Sequence, residues 1–316
     1  MGEQLVSILI PCYNAERWIA LTLESALSQT WPKKEIIVVN NGSTDGSLEI
    51  LKKFESEQVK IITKENHGAS AARNRAYHES QGDVIQFLDA DDLMSPDKIE
   101  LQMKRLADAP NCVAAGAWGR FYDDPKNTVF VHEPLWADFA PVDWLVTAWT
   151  GSWMMASHAW LTPRSLIERA GDWDETPCPN DDGEFFTRVV LSSEGVLFCP
   201  ESRVYYRSGR PGATSQSKST EMLHSMYRSI ELCTSYLLSK EDSPRTRKAC
   251  ASYFQNFVYQ VYPHVPNLVQ QAEAQVRNLG GCDLNPPVAG AIHSFLVSTL
   301  NWKYARRIQL LKQRFI

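Results

Sequence analysis

Residues 84–92 read Val84-Ile85-Gln86-Phe87-Leu88-Asp89-Ala90-Asp91-Asp92, so that an apolar run of strand length ends abruptly in three carboxylates. Like charges a few ångströms apart repel one another unless a cation lies between them. We expect Asp89 and Asp91 at the carboxyl end of a buried strand, which is where open α/β sheets bind ligands. Hard oxygen ligands there suit Mg²⁺ or Mn²⁺ holding a diphosphate. The alternative is an acidic loop that favours the dipole of a helix predicted to begin at Ser95-Pro96.

Short apolar runs alternate with amphipathic segments through the first 95 residues. Strands are predicted at Leu5–Ile10, Glu35–Val39 and Val59–Ile62, and Asn14 is predicted to cap the helix after the first of them. Near-continuous apolar strands separated by helices indicate a parallel sheet that is buried on both faces. This part of the chain is therefore predicted to be an α/β half of the nucleotide-binding type.

The chain has a different character after residue 110. We predict a hairpin turn at Asp123–Asn127 and two further strands at Val196–Cys199 and Arg203–Tyr206. The glycine- and serine-rich stretch Ser208–Ser215 is typical of a loop, and the pattern from about residue 217 onward is helical. The predicted organisation is a mixed α/β domain over residues 1–215 and a C-terminal helical region over residues 216–316.

Composition excludes several classes of protein. The 316 residues carry a formal net charge of −5, which does not favour nucleic-acid binding. The seven cysteines are odd in number and form no CxxC pair, which argues against a disulfide framework and a zinc site. No charged leader precedes the first strand, and no apolar run approaches the ~18 residues of a membrane span. These features predict a cytoplasmic location.

Four polar segments are predicted to lie on one rim of the sheet. They are Pro11-Cys12-Tyr13-Asn14, Asn40-Asn41-Gly42-Ser43-Thr44-Asp45, Arg73-Asn74 and Asp89-Ala90-Asp91. Their order resembles that of the family 2 glycosyltransferases, whose GT-A domain carries a P-x-Y-N start, a V-D-D-G-S-T-D segment, an A-R-N helix and a D-x-D metal motif. The resemblance covers residues 4 to 210 and implies a GT-A fold, with a Rossmann-like nucleotide-binding half and a mixed-sheet acceptor half.

The resemblance also implies a binding site for a nucleotide-sugar donor. It assigns donor binding to Pro11, Tyr13, Asn14, Asn41, Arg73, Asp89, Ala90 and Asp91. Asp91, with Asp89 nearby, should bind the Mn²⁺ or Mg²⁺ ion that neutralises the leaving diphosphate. The chain departs from the family in carrying Asn40 and Asn41 where two acidic residues are usual. An asparagine both donates and accepts hydrogen bonds, so the base stays open, and Asn41 could instead be only a turn residue before Gly42.

A second acidic group occurs in Asn180-Asp181-Asp182-Gly183-Glu184. It is similar to the E-D-x-E segment of the family, and Asp182 falls on the aspartate that acts as general base. Such a group accelerates proton removal from an acceptor hydroxyl by ~10²–10⁴. Asp181 or Glu184 would position or tune that base. The alternative is simply an acidic first turn of a helix.

The pair Tyr206-Arg207 resembles the Y-R end of the family domain, and Arg207 is expected to contact the diphosphate. Many relatives place a histidine directly afterwards as a further metal ligand, but Ser208 and Gly209 follow here, so no third ligand is assigned. The following glycine-rich loop is expected to close over the donor. The tryptophan-rich stretch from Trp144 to Trp160 either lines an acceptor cleft or packs in the core.

The predicted function is that of an inverting, metal-dependent transferase using a nucleotide-diphosphate sugar, with UDP as the expected nucleotide. Its acceptor would be a glycan, a lipid-linked glycan or a small molecule, in surface polysaccharide or glycoconjugate synthesis. One alternative is an inactive, transferase-like binding module, which Asn40 and Asn41 favour. Another is a sugar nucleotidyltransferase, although that class needs a glycine-rich phosphate loop after the first strand.

The segment Trp302–Ile316 contains five cations and no acidic residue. As a helix it would place on one face Leu300, Tyr304, Ile308, Leu311 and Phe315. This pattern is typical of an interfacial helix on anionic lipid, which would hold the protein at the inner face of a membrane. The alternative is that the apolar face docks on the protein's own helical region.

Overall fold

The computed structural model describes residues 4–209, 219–286 and 302–313. The chain divides into two compact units, which are Met1–Trp144 with Met154–Ser217 and Leu145–Trp153 with Lys218–Ile316. The predicted domain boundary at residues 215 and 216 and most of the predicted loop at 208–215 fall outside the described residues, so both stay predictions.

The described residues of the first unit contain one eight-stranded sheet. Its strands are β1 (Val6–Cys12), β2 (Lys34–Asn41), β3 (Val59–Lys64), β4 (Val84–Phe87), β5 (Leu93–Met94), β6 (Val113–Phe121), β7 (Trp160–Pro163) and β8 (Val196–Arg207). They lie in the order β3-β2-β1-β4-β7-β6-β8-β5. Strands β1 to β4 are mutually parallel, and β7 is antiparallel to β4 and β6. The predicted parallel half followed by a mixed half is confirmed.

Helices connect these strands and form the second unit. They are α1 (Ile19–Leu27), α2 (Ser47–Phe54), α3 (Ala69–His78), α4 (Lys98–Leu106), α5 (Pro141–Gly151), α6 (Arg164–Ala170), α7 (Asp181–Ser192), α8 (Thr220–Lys240), α9 (Pro244–Val261), α10 (Pro266–Asn278) and α11 (Trp302–Gln313). A helix follows each of β1, β2 and β3, as parallel strands require. Consecutive residues of β1 and β2 are buried, because helices cover both faces of the sheet.

The strand register brings the predicted rim together. Leu9 of β1 lies opposite Phe87 of β4, and Cys12 lies opposite Asn40 of β2. Parallel strands in this register end at the same edge of the sheet, so the polar residues that follow them are neighbours. The segment starting at Asp89 therefore lies beside the segments that follow β1 and β2.

The predicted helix cap at Asn14 is wrong, because α1 begins at Ile19. Asn14 adopts a φ of 46°, a left-handed conformation that asparagine tolerates better than most residues. Its side-chain oxygen accepts a hydrogen bond from the Thr44 backbone N–H at 2.8 Å. Asn14 thus joins the loops that follow β1 and β2.

The predicted helix start at Ser95-Pro96 is also wrong, because α4 begins at Lys98 with Asp97 as its N-cap. The Ser95 N–H donates instead to the Arg203 carbonyl at 2.9 Å. This bond continues the pairing of β5 with β8. Because Ser95 pairs with a strand that is distant in sequence, the helix begins later in the chain than the local sequence predicts.

Two other differences concern the second half of the sheet. The two strands predicted between residues 196 and 206 form the single strand β8, and the register of β6 against it shifts between Gly116 and Ala117. The predicted hairpin turn at Asp123–Asn127 is confirmed, since Arg120 and Val129 pair across it in antiparallel fashion. A short 3₁₀ helix forms the turn.

The tryptophans between residues 144 and 160 are mainly core residues. Trp144 packs edge-to-face on Trp160 in the first unit, with ring centroids 5.2 Å apart. Trp149 stacks on Tyr253 in the second unit at 4.7 Å. Trp153 is the exception and is 41% exposed. Core packing is thus the better interpretation for three of these four residues.

Helix α11 docks within the second unit through residues that include Trp302 and Lys303. Trp302 packs edge-to-face on Tyr259 and Tyr262, and Lys303 forms a 2.5 Å ion pair with Glu273. Tyr304, predicted to lie on the docking face, is 61% exposed. Leu300, Phe315 and the side chain of Leu311 lie outside what the structure describes, so the predicted face as a whole stays a prediction. None of the helices in the described part of the chain is long and apolar enough to cross a membrane.

Candidate active site

A cavity of about 960 Å³ opens in the first unit where β1, β2 and β4 end. Its lining includes all the predicted site residues except Glu184, namely Pro11, Tyr13, Asn14, Asn41, Arg73, Asp89, Ala90, Asp91, Asp181, Asp182 and Arg207. Residues from both halves of the sheet therefore meet in one place. The functional role of each of these residues remains a prediction.

Glu184 is directed away from this cavity. It is buried, and its carboxylate forms two 2.7 Å hydrogen bonds with the Arg188 guanidinium one turn along α7. Arg188 also donates to the Asp172 carbonyl at 2.9 Å. These contacts brace the first turn of α7 against the segment that precedes it.

Arg73 connects two groups of carboxylates that are distant in sequence. Its guanidinium pairs with Asp89 and with Asp181, each at 2.8 Å, and lies 4.5 Å from the Trp173 ring centroid. Burial lowers the pKa of Arg73, but the two carboxylates together raise it, and the net shift is upward. The Arg73 guanidinium therefore holds the start of α7 against the segment that follows β4.

Asp182 lies beside this bridge and is half-buried in the cavity wall. Burial and the neighbouring Asp181 charge raise its pKa to about 7, against the opposing effect of Arg73. One carboxylate oxygen accepts a hydrogen bond from the Gly183 N–H at 2.8 Å. A carboxylate whose pKa lies near neutrality can accept a proton efficiently at physiological pH.

The carboxylates after β4 are tied to the rest of the site. Asp89 accepts a 3.4 Å hydrogen bond from the Ser157 hydroxyl in addition to its ion pair with Arg73. Arg207 donates from Nε to the Asp91 carbonyl at 2.9 Å and from its backbone N–H to Asp92 at 2.7 Å. The end of β8 therefore helps to hold the Asp89–Asp92 segment in position.

The cavity carries an excess of negative charge. Its described lining residues include six carboxylates and three guanidinium groups, belonging to Asp89, Asp91, Asp92, Glu175, Asp181, Asp182, Arg73, Arg120 and Arg207. A diphosphate would be repelled from this lining unless a cation accompanied it. No group of three or more His, Cys, Asp or Glu side chains among the described residues suits a metal ion. Mg²⁺ usually takes one or two carboxylates and completes its coordination with phosphate and water. Asp91 fits such an ion, and Asp89 would fit as a second ligand if its carboxylate were shared with or released from Arg73.

The Asn41 side chain forms hydrogen bonds with a neighbouring loop, residues 66–68. Its amide donates to the Asn66 side-chain oxygen and the Gly68 carbonyl, both at 3.0 Å, and its own oxygen accepts from the His67 N–H at 3.3 Å. Gly42 has a φ of 72°, and a Cβ there would lie 3.0 Å from the Asn66 nitrogen. Asn41 thus shapes the cavity wall by holding residues 66–68.

His158 is a neighbouring residue that the sequence did not point to. It is fully buried and stacks on Tyr206 with ring centroids 6.1 Å apart. Its Nδ1 lies 3.2 Å from Asp92, but the orientation makes no hydrogen bond. Burial lowers the pKa of His158 to about 4, so the ring is neutral near pH 7. Neither His158 nor Ser157 belongs to a motif that could have identified it.

Comparisons with known proteins agree with this architecture. The family model described as "Glycosyl transferase family 2" matches residues 7–171. Glycosyltransferase GlyA of Streptococcus pneumoniae serotype 4 is 28% identical over 247 residues, which are 71% of this chain and 33% of GlyA. The putative teichuronic acid biosynthesis glycosyltransferase TuaG of Bacillus subtilis is 42% identical over 105 residues, which are 32% of this chain and 42% of TuaG. The matched region therefore spans less than half the length of these relatives.

The fold is also found in a solved structure. The crystal structure of S. aureus TarS residues 1–349 superposes with a TM-score of 0.63 at 16% identity, covering 87% of this chain and 88% of that one. This likeness supports the predicted GT-A fold and its C-terminal helical region. Since the family model covers just over half of the 316 residues, from β1 to the end of α6, the chain belongs to glycosyl transferase family 2.

Proposed function

We propose that this chain is an inverting, metal-dependent glycosyltransferase that moves a sugar from a nucleotide-diphosphate sugar to an acceptor hydroxyl. The observation that carries the proposal is that Asp182 lines the same cavity as Asp89 and Asp91, the carboxylates that follow β4. Asp182, whose pKa is raised to about 7, can accept a proton, and Asp89 and Asp91 are suited to a divalent ion. An inverting, metal-dependent transfer uses both capabilities.

Asp182 is the residue best placed to act as general base. Asp181 is occupied by its ion pair with Arg73, whereas Asp182 forms no ion pair within the described residues. The acceptor hydroxyl would give its proton to Asp182 as its oxygen attacks the anomeric carbon. Attack on the face opposite the leaving diphosphate inverts the configuration at that carbon.

Donor binding is assigned to the cavity residues at and after the ends of β1, β2 and β4. Tyr13 is 47% exposed at its rim and offers a ring face to the base, and Asn41 holds the loop beside it. Asp91 and Asp89 would hold Mn²⁺ or Mg²⁺, which when bound supplies positive charge to the departing diphosphate. TarS has been solved with UDP-GlcNAc, and a mannosyltransferase from Pyrobaculum calidifontis has been solved with GDP-Man and Mn²⁺. These complexes support a nucleotide-sugar donor, and we propose UDP as the nucleotide.

The biological setting is inferred from the relatives. TuaG is named for teichuronic acid biosynthesis, and the chondroitin synthase of Pasteurella multocida is 34% identical over 182 residues, which are 54% of this chain and 18% of the synthase. We propose that this chain acts in polysaccharide or glycoconjugate synthesis, at the cytoplasmic side of a membrane.

The test is donor turnover by the purified protein. A panel of UDP-, TDP-, GDP- and CMP-sugars is first screened by thermal shift with Mn²⁺, where a donor at 100 times its Kd stabilises by about 2.7 kcal/mol. Hydrolysis of the selected donor is then measured with and without EDTA. Metal-dependent release of the nucleotide is expected. Binding without any turnover in the presence of candidate acceptors would support the inactive binding module instead.

A further inference from the structure

The three arginines that line the cavity are not equivalent. Arg73 is neutralised by Asp89 and Asp181. Arg207 donates to the Asp91 carbonyl and stacks on Phe121, with its guanidinium carbon 4.4 Å from the ring centroid. Among the described residues, no carboxylate forms an ion pair with Arg120. Its positive charge is therefore available to a ligand in the cavity.

The Arg120 side chain is nevertheless held in place. Its guanidinium carbon lies 5.2 Å from the Trp118 ring centroid and 5.0 Å from that of Tyr206. One terminal nitrogen donates to the Ser208 hydroxyl at 3.0 Å, and the other lies 3.5 Å from the Met154 sulfur. Glu133 interacts with Arg120 electrostatically, but its carboxylate accepts from the Trp118 indole N–H. A guanidinium ordered in advance loses less conformational entropy when it binds an oxyanion.

Arg120 and the proposed base Asp182 line the same cavity. A ligand that fills the cavity and places a hydroxyl at Asp182 can therefore also offer a group to Arg120. The exposed side chains of Tyr122 and Met154 line the same rim and offer apolar surface to a sugar ring.

We propose that Arg120 binds a carboxylate or phosphate group of the acceptor and so selects acidic acceptors, an inference that rests on the proposed transferase function. The six carboxylates of the cavity repel an acidic acceptor, and an unneutralised arginine at the rim offsets this repulsion locally. Its planar fork matches the geometry of both oxyanions. The same chemistry could be supplied by the donor, so donor and acceptor binding are measured separately.

The experiment uses the full-length protein with UDP and Mn²⁺ present. Calorimetry compares a hyaluronan tetrasaccharide with its carboxyl-reduced, neutral form in the wild type, Arg120→Gln, Arg120→Lys and the control Arg105→Gln. Arg105 is an exposed arginine outside the cavity that pairs with Asp138. A parallel titration measures UDP in all four proteins, and a third compares UDP-glucose with UDP-glucuronate.

The wild type should bind the acidic tetrasaccharide about tenfold more tightly than the neutral one, the size expected for one charge-assisted hydrogen bond. Arg120→Gln should abolish that preference, Arg120→Lys should retain part of it, and Arg105→Gln should retain all of it. UDP binding should be equal in all four proteins. The inference is overturned if the wild type does not prefer the acidic tetrasaccharide, or if Arg120→Gln keeps that preference. It is also overturned if Arg120→Gln weakens the binding of UDP or UDP-glucuronate but not that of the acidic tetrasaccharide. Failure of the proposed function is seen separately, as a wild type that binds no nucleotide.

Discussion

Replacing Asp182 by asparagine should have opposite effects on activity and stability. The change removes the proton acceptor but keeps the shape of the side chain, so turnover should fall by ~10²–10⁴ while donor binding is nearly unchanged. The same change removes a charge that the folded protein disfavours, since burial and Asp181 raise the pKa of Asp182. The free energy of unfolding should therefore increase at neutral pH and above.

The sign and size of the stability effect follow from proton linkage. The folded state binds the Asp182 proton more tightly than the unfolded state does, because the pKa rises from 3.8 to about 7 on folding. The ionised group therefore destabilises the wild type progressively above pH 3.8, and the effect is complete above pH 7. One pKa unit corresponds to about 1.4 kcal/mol, so about 4 kcal/mol is an upper limit for the gain in Asp182→Asn at pH 8.

The assay combines urea unfolding at pH 4 and pH 8 with initial rates of nucleotide release between pH 5 and pH 9. The wild-type rate should rise with pH and level off above an inflection near pH 7. The Asp182→Asn rate should be low throughout and show no such inflection. The control is Asp108→Asn, an exposed aspartate outside the cavity. Wild-type turnover in Asp182→Asn would refute the general-base assignment, and equal stability of both proteins at pH 8 would refute the electrostatic argument.

Four further outcomes are expected. Asp91→Ala should abolish Mn²⁺-dependent nucleotide binding in calorimetry, and unchanged metal dependence would contradict the metal assignment. Arg73→Gln should destabilise the protein by about 3 kcal/mol at pH 7 in urea unfolding, because three carboxylates lose their shared cation, and should raise the pH of the rate inflection. Asn41→Asp should weaken the binding of UDP, TDP, GDP and CMP equally, because two amide donors to residues 66–68 are lost; tighter UDP binding would show that Asn41 reads uracil. The interfacial helix predicts flotation of the full-length protein with anionic vesicles and not with neutral ones, with loss of binding in high salt; sedimentation with both kinds of vesicle would remove the membrane role.

The parallel half of the fold was predictable because burial on both faces leaves a strong pattern in sequence. Strands β1 to β4 lie within about two residues of their predicted ends, since an apolar run stops where the chain leaves the sheet. The position of the site was predictable because these strands are parallel. Parallel strands end together, so polar residues after Cys12, Asn41 and Phe87 had to be neighbours.

The hydrogen-bond partners of each polar side chain were not predictable in the same way. Asn14 follows β1, Asn41 is the last residue of β2 and both line the cavity, but their hydrogen bonds go largely to Thr44 and to residues 66–68. Their partners are loop residues whose conformation depends on the completed fold. A motif therefore identifies which residues are near the ligand without showing which atoms are left to bind it.

Arg73 shows why this distinction matters for the chemistry. The motif placed it among the donor-binding residues, whereas the structure engages its two terminal nitrogens with Asp89 and Asp181. The Arg73 charge also lowers the pKa of Asp182, so any ligand or ion that draws Asp89 away from Arg73 changes the charge felt by the proposed base. The proposed metal ligand Asp89 and the proposed base Asp182 are thus joined electrostatically through one buried guanidinium. A change in Asp182 titration on nucleotide and Mn²⁺ binding, present in the wild type and lost in Arg73→Gln, would be the direct signature of that connection.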